Sequence, residues 1–299
     1  MNRSEFLCSL TERDAFGLEI GPGHSPVFPK ADGWNVEIAD YAPTDQIKAV
    51  RAAAGGDPAL VEDVDHVTDG RSLDEVIPPG TSYDFIFSSH NIEHLPDIIG
   101  FLKSCDALLK ADGKVILVIP DKRFTFDGLR NTSTTGEALE SYHGRVGRHT
   151  LRSIYDYHAN ILFIDGKNTW GRDDTGALMI EKSVATAKSL FDQAAASDRY
   201  VDNHGWCFTP ASFRLMLHDF NELGLVEVRE EQIIDQEHWE FYAILSRKGD
   251  APVRSRLDLV KDLLREQVLS GLQLLGSDNP MMTFAKQALQ GEPPEKMWS

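Results

Sequence analysis

Two sets of side chains in this sequence have the types and spacing to do chemistry. The first is a glycine turn flanked by carboxylates. Residues 17–23 read GLEIGPG, an apolar run that carries Glu19 and ends in Gly21-Pro22-Gly23. Glycines let a backbone turn sharply and lie close to a ligand. Asp40 follows 19 residues after Gly21, at the end of the next apolar run, NVEIA at 35–39. A carboxylate there stands beside the turn and can accept both hydroxyls of a ribose. The plainer reading is a turn aspartate in Asp40-Tyr41-Ala42-Pro43. The second set comprises His90 in Ser88-Ser89-His90-Asn91, Asp121 after the run GKVILVI, and His204 in His204-Gly205-Trp206-Cys207-Phe208. Histidine is the natural general base near neutral pH. His90 reads as a base or substrate contact, or as a hydrogen-bonder within its own loop. Asp121 can orient a histidine or accept a substrate hydroxyl, or form an anchoring ion pair with Lys122 and Arg123. Arg123 can instead hold an anionic group through two parallel bonds, and Asp127 and Arg130 extend the same segment. His204 beside Trp206 suits a sugar ring, or an aromatic latch.

The turn also discriminates between cofactors. A dinucleotide site uses a third glycine for close helix packing under the pyrophosphate. Here the string is Gly21-Pro22-Gly23-His24-Ser25, and Pro22 removes a backbone donor that a pyrophosphate would use. Glu19 repels phosphate but favours a cationic ammonium or sulfonium. Both points favour S-adenosylmethionine over NAD.

These residues need a scaffold. Short apolar runs at 17–21, 35–39, 84–88 and 113–119, with a weaker one at 64–67, have the character of strands buried on both faces. Between them, residues 97–110 place Ile98, Phe101, Leu102, Cys105, Leu108 and Leu109 on one helical face, which Asp112-Gly113 is expected to close. This alternation predicts a doubly wound α/β domain with a mostly parallel sheet. It breaks after Pro120. Residues 121–205 are polar and aromatic-punctuated, with a helix near 180–196, and are too long for an ordinary loop. An inserted lid or acceptor subdomain is expected there. Thr209-Pro210 opens a further helix that Gly224 ends, with threonine as N-cap and proline in the first turn. Runs 225–231 and 239–246 pair as a β-hairpin. From 252 the chain is an amphipathic helix with Leu257, Val260, Leu263, Leu264 and Val268 at helical spacing, either an appendage or a homodimer contact. The expected organisation is 1–120 for the cofactor-binding part, 121–205 for the lid, 206–248 for the rest of the domain and 249–299 for the helical tail.

The ordered set GLEIGPG, IADY, YDFIFSSHNIEHLPD and LLKADGKVILVIPD resembles class I S-adenosylmethionine-dependent methyltransferases. It is most similar to the group with an E-H-L-P segment after the fourth strand. The strings IPDKRFTFD and HGWCFTPASF resemble a bacterial subfamily found beside glycosyltransferases in surface-polysaccharide loci. The resemblance covers about residues 15–247 and implies a seven-stranded sheet with a reversed last hairpin. It implies that Gly21 and Gly23 face the methionine part with Glu19 supporting it, that Asp40 holds the ribose, and that Asp69 lies near the adenine amine. Ser88 and Ser89 would line the pocket, and His94 would be structural. Ser25 departs from the family, which often carries a third glycine there. The implied reaction is O-methylation of a sugar or glycoconjugate. The alternatives are a small-metabolite or lipid-like acceptor methylated at O, N or C, and a non-catalytic module that keeps the fold.

Composition narrows the partners. With 47 acidic and 30 basic residues the net charge is −17, which repels nucleic-acid backbones. The densest basic cluster, Arg145, Arg148, His149 and Arg152, reads as a solvated helix face or a contact for an anionic substrate. Three cysteines, Cys8, Cys105 and Cys207, form no C-x-x-C pair, so neither a disulfide framework nor a zinc knuckle is expected. His143, His149, His158 and His204, with Asp156, lie in or beside 121–205. None pairs at the H-x-x-x-H spacing of helical metal ligands, so no metal site is expected. Trp170, Tyr155 and Tyr157 read either as sugar-stacking or as packing residues. The N-terminus lacks a signal peptide's apolar run and no stretch reaches membrane-spanning length, so a cytoplasmic protein without membrane insertion is expected.

Overall fold

The strand-forming runs pair into a single large sheet in the computed structural model, which describes residues 2–144, 147–249 and 254–276. In chain order the elements are α1 (Arg3–Cys8), β1 (Gly17–Ile20), β2 (Val36–Asp40), α2 (Thr44–Ala53), β3 (His66–Val67), α3 (Leu73–Val76), β4 (Tyr83–Ser89), α4 (Ile98–Leu108) and β5 (Leu109–Pro120). There follow α5 (Thr135–Gly144), α6 (Leu151–Ala159), β6 (Leu162–Ile164), β7 (Leu178–Ile180), α7 (Val184–Ala195), α8 (Pro210–Glu222), β8 (Arg229–Asp235), β9 (Glu240–Ser246) and α9 (Arg256–Leu274).

The seven-stranded sheet runs β3-β2-β1-β4-β5-β9-β8, and β6-β7 form a separate antiparallel pair. All pairings from β3 to β5 are parallel, and β9 alone runs against the rest. The mostly parallel sheet expected from the alternation, and the seven strands that the resemblance implies, are therefore the ones observed. β1 is parallel to β2 on one side and β4 on the other, so the winding reverses at β1. In such sheets a crevice opens at that point, beyond the carboxyl ends of the strands.

Burial on both faces explains why the central strands lack alternation. In β4, Phe85 and Phe87 enter one apolar cluster with Leu7, Phe28, Ile116 and Tyr242, while Ile86 enters the opposite one with Leu18, Leu102, Leu117, Phe213 and Phe241. Gly17 is required by this packing, because a Cβ there would overlap the Phe85 ring. α8 begins as its sequence specifies: Thr209 accepts from the Ser212 amide and Pro210 occupies the first turn. Gly224 follows it at φ +65°, a conformation glycine adopts without strain.

Three local expectations are corrected. α4 stops at Leu108 rather than at Asp112-Gly113, because Leu109 already pairs with Tyr83 and residues 110–112 belong to β5. The helix expected near 180–196 starts at Val184, since residues 178–180 are claimed by pairing with 162–164. In α9 the expected apolar stripe is largely outside: Leu257, Leu264 and Val268 are exposed, while Leu259, Ser270 and Leu272 are buried. The remainder of the expected tail, 250–253 and 277–299, lies outside the described residues.

Segment 121–205 folds onto the sheet domain. Phe124, Leu162, Ile164 and Trp170 make a small core of their own, and Ala138 joins the main one. The Ser133 amide donates to Cys207 O at 2.9 Å, and the Trp170 indole donates to Arg123 O at 3.0 Å.

Candidate active site

Register brings the glycine turn and the β4 end together. Ile20 pairs with both Ala39 and Ser88, so Gly21, Asp40 and Ser89 emerge at the same edge of the sheet. Gly21 and Gly23 have φ of +66° and +55°. A Cβ on Gly23 would meet nothing within 4 Å, and one on Gly21 would meet only the Asn91 carboxamide, with Oδ1 at 3.5 Å. Positive φ selects glycine here, and the space it leaves is open. The Asp40 carboxylate is 5% exposed and accepts from the Tyr41 amide at 2.7 Å and the Gly23 amide at 3.3 Å. Burial raises its pKa against those two bonds. No cation neutralises it among the described residues within ion-pair distance. Ser88 Oγ and Asn91 Nδ2 are buried with no hydrogen-bond partner. A ligand with hydroxyl and amine groups fits this edge: it meets an uncompensated carboxylate, two orphaned polar atoms and open backbone.

Glu19 faces the loop that follows the turn. Its two oxygens accept from the amides of Val27, at 2.7 Å, and Phe28, at 3.1 Å. Burial pushes its pKa up to about 7 in spite of those bonds. Its direct work is to hold the loop against the strand. Asp69 is exposed at φ +46°, in the turn two residues beyond β3. Ser89 Oγ accepts from the Arg3 guanidinium at 2.9 Å, so α1 reaches this edge too.

The polar residues beyond β4 form a second cluster. His90 has φ +49°, its amide donating to Val118 O at 2.9 Å. The ring stacks on Trp239 at 5.1 Å, and Nε2 lies 2.9 Å from Glu240 Oε2. Glu240 also accepts from Arg3 at 2.6 Å and from the Tyr242 hydroxyl at 2.9 Å. Burial opposes its charge, but the bonds from His90 and Arg3 prevail and lower its pKa. His204 is brought to the same region from the far end of the chain, because the Gly205 amide donates to Glu93 O at 2.8 Å. His204 Nδ1 lies 2.5 Å from Asp127 Oδ2, and Arg130 holds the other Asp127 oxygen at 2.8 Å. Against the cost of burial, the bonds from His204 and Arg130 keep the Asp127 pKa at about 2.

Asp121 does not join His90 and His204. Its carboxylate is 0% exposed and bound at both oxygens by Arg123, which also reaches Asp235 at 2.8 Å. The ion-paired anchor is the reading this geometry matches. The basic cluster is dispersed as well. Arg148 pairs with Asp198, Arg152 with Glu137, and His149 is buried against Gly205, with burial and nearby His94 lowering its pKa to about 4. Arg145 lies outside the described residues. Trp170 is buried in the small core and packs rather than stacks on a ligand.

Sequence reasoning missed Glu93, Asp202 and Glu240, and named Asp127 only as an extension of the Asp121 segment. Glu93 is 1% exposed with neither oxygen hydrogen-bonded. Its oxygen lies 3.7 Å from His90 Nδ1 and 3.7 Å from His94 Nε2. His94 Nδ1 in turn lies 2.8 Å from Asp202. Burial opposes a charge on His94, but Asp202 and Glu93 outweigh it and raise its pKa. His90 and the E-H pair in E-H-L-P are the local part of this group; Asp127, Asp202 and Glu240 are more than 30 residues away in sequence.

A family model described as "Methyltransferase domain" matches residues 3–221. None of the curated proteins matches the chain. Among solved structures, the CcbJ methyltransferase of Streptomyces caelestis is similar at 15% identity and TM-score 0.42, over 81% of this chain and 87% of that one. A Rhodobacter sphaeroides structure described as a Zn-dependent alcohol dehydrogenase is similar at 14% identity and TM-score 0.43, over 82% and 89%. An S-adenosylmethionine-dependent methyltransferase of Aquifex aeolicus is similar at 11% identity and TM-score 0.38, over 81% and 88%.

Proposed function

The chain belongs to the methyltransferase-domain family, and from that premise we propose that it O-methylates a sugar or glycoconjugate hydroxyl. It is an enzyme, and S-adenosylmethionine is its methyl donor. When bound, that cofactor supplies an electrophilic methyl group on a sulfonium. The observation that carries the reading is the shared edge of Gly21, Asp40 and Ser88, where an uncompensated buried carboxylate faces an open glycine turn. In this reading Asp40 accepts from the ribose hydroxyls, Gly21 and Gly23 admit the methionine part, and Ser88 and Ser89 line the pocket. Asp69 stands toward the adenine, and Glu19 positions the loop.

His90 takes the acceptor proton at Nδ1. Its other nitrogen is held by Glu240 at 2.9 Å, which orients the ring and stabilises the imidazolium that forms. Such a base contributes ~10²–10⁴-fold, and alignment of the acceptor contributes the larger part. Asp121 is a positioning residue through Arg123. The sugar reading is supported by the polar and aromatic make-up of this edge, with Trp239 beside Arg3, His90 and Glu240. Rings with polar neighbours recognise sugars by stacking and hydrogen bonding together. The resemblance of IPDKRFTFD and HGWCFTPASF to the polysaccharide-associated subfamily points the same way. Segment 121–205 is read as the carrier of acceptor specificity.

The test is calorimetry with S-adenosylmethionine and its demethylated product, followed by labelled-methyl transfer to nucleotide sugars, lipid-linked glycans and small phenols. Saturable binding and label in a sugar acceptor are expected. No binding of either cofactor form would overturn the reading; label confined to phenols would overturn the acceptor class alone.

A further inference from the structure

Glu93 poses a problem that the proposed reaction does not solve. Its carboxylate is almost wholly buried, both oxygens lack a hydrogen-bond partner, and no lysine or arginine lies within ion-pair distance among the described residues. A buried charge left so costs several kcal/mol unless something compensates it. The groups that face it are histidines. Ligand atoms of Glu93, His94 and His204 all lie within 4.8 Å of one another.

The histidines are arranged in a particular way. His94 Nδ1 is held by Asp202 at 2.8 Å, and His204 Nδ1 is held by Asp127 at 2.5 Å. Each carboxylate takes an Nδ1 proton, which leaves a lone pair on each Nε2, and that of His94 lies 3.7 Å from Glu93 Oε1. Carboxylates that fix the tautomer of an imidazole and raise its basicity are the usual outer partners of metal-bound histidine. The backbone is fixed as well. Glu93 and His94 share the short 3₁₀ turn Ile92–His94, and the Gly205 amide ties the His204 segment to Glu93.

We propose that Glu93, His94 and His204 bind a divalent first-row transition cation through one carboxylate oxygen and two Nε2 atoms. Two imidazoles and one carboxylate suit zinc, manganese or iron better than magnesium or calcium, which prefer oxygen alone. At metal–ligand distances of ~2.1 Å, tetrahedral donor atoms stand about 3.4 Å apart. The 3.7 Å between Glu93 and His94 is close to that, and small side-chain rotations supply the rest. Three protein ligands leave coordination open, and the His94 side chain is 30% exposed, so water or an acceptor hydroxyl has a way in. His90 Nδ1 stands 3.7 Å from the same Glu93 oxygen.

The test uses the full-length, untagged protein, treated with a chelator and then titrated with Co²⁺, Zn²⁺ or Mn²⁺. One equivalent is expected to bind, with a Co²⁺ visible spectrum of nitrogen–oxygen ligation. Glu93→Gln and His204→Gln should each weaken binding more than 100-fold. Asp202→Asn changes a mostly exposed side chain outside the proposed ligand set, and should weaken binding about 10–100-fold through His94. Absence of saturable binding to the wild type would overturn the proposal, because a proton on His94 would then be what balances Glu93. Undiminished binding in both Glu93→Gln and Asp202→Asn would overturn it as well, by placing the ion elsewhere. Neither result depends on whether S-adenosylmethionine binds.

Discussion

Replacing Asp40 by alanine should weaken S-adenosylmethionine binding about 10- to 100-fold. The carboxylate has roughly four acceptor positions, and the Tyr41 and Gly23 amides occupy two of them. The remainder are free at the crevice edge for a pair of ribose hydroxyls. A hydrogen bond to a charged group contributes ~1.5–3 kcal/mol net, and ~1.4 kcal/mol is tenfold in affinity. Loss of even one such bond therefore exceeds tenfold. Asp40→Asn keeps the shape and one acceptor oxygen but removes the charge, so it should fall between wild type and alanine. The assay is calorimetry with the demethylated cofactor, repeated with an analogue lacking the ribose hydroxyls. Removing the hydroxyls should cost the wild type its affinity and the alanine variant almost nothing, which isolates the pair from any general loosening of the turn. Equal cost in both proteins, or alanine-variant affinity within twofold of wild type, would refute the assignment of Asp40 to the ribose.

Other expectations are simpler to check. Gly17→Ala should destabilise the fold by ~1–3 kcal/mol by driving a methyl group into the Phe85 ring, and Phe85→Leu should restore part of it in thermal unfolding. Glu19 ionises near 7 in the folded chain against an ordinary 4.5. The unfolded chain thus ionises first, and stability falls as pH rises from about 4.5 to 7; integrated, the shift is on the order of 3 kcal/mol. Glu19→Gln should flatten that part of the stability–pH curve measured by denaturant, and an unchanged slope would exclude Glu19 as its source. Cys105 and Cys207 are fully buried and their pKa values are raised by burial, so a thiol reagent should reach at most Cys8 until the protein is unfolded.

Much of the fold was legible in the sequence because its signals are local. Strands buried on both faces must be continuous apolar runs, and GLEIG, DFIFS and GKVILVI are such runs. A threonine followed by proline announces a helix start, and α8 begins there. Where a pairing partner from elsewhere intervened, local reading failed: Leu109 left its helix because Tyr83 was opposite, and 178–180 became a strand because 162–164 lay beside it.

The candidate site divides the same way. By itself the sequence determined the glycine turn and Asp40, because turn geometry and strand length fix how far apart those residues lie in space. It marked His90 and His204 as residues that could act, but not what holds them. Only the tertiary structure decided that Glu240 secures one ring and Asp127 the other, that Arg123 binds both oxygens of Asp121, and that a buried Glu93 faces two histidine nitrogens. Such pairings join residues up to 150 positions apart. They follow from the winding of the sheet and the folding of 121–205 back onto it, and no spacing along the chain encodes them.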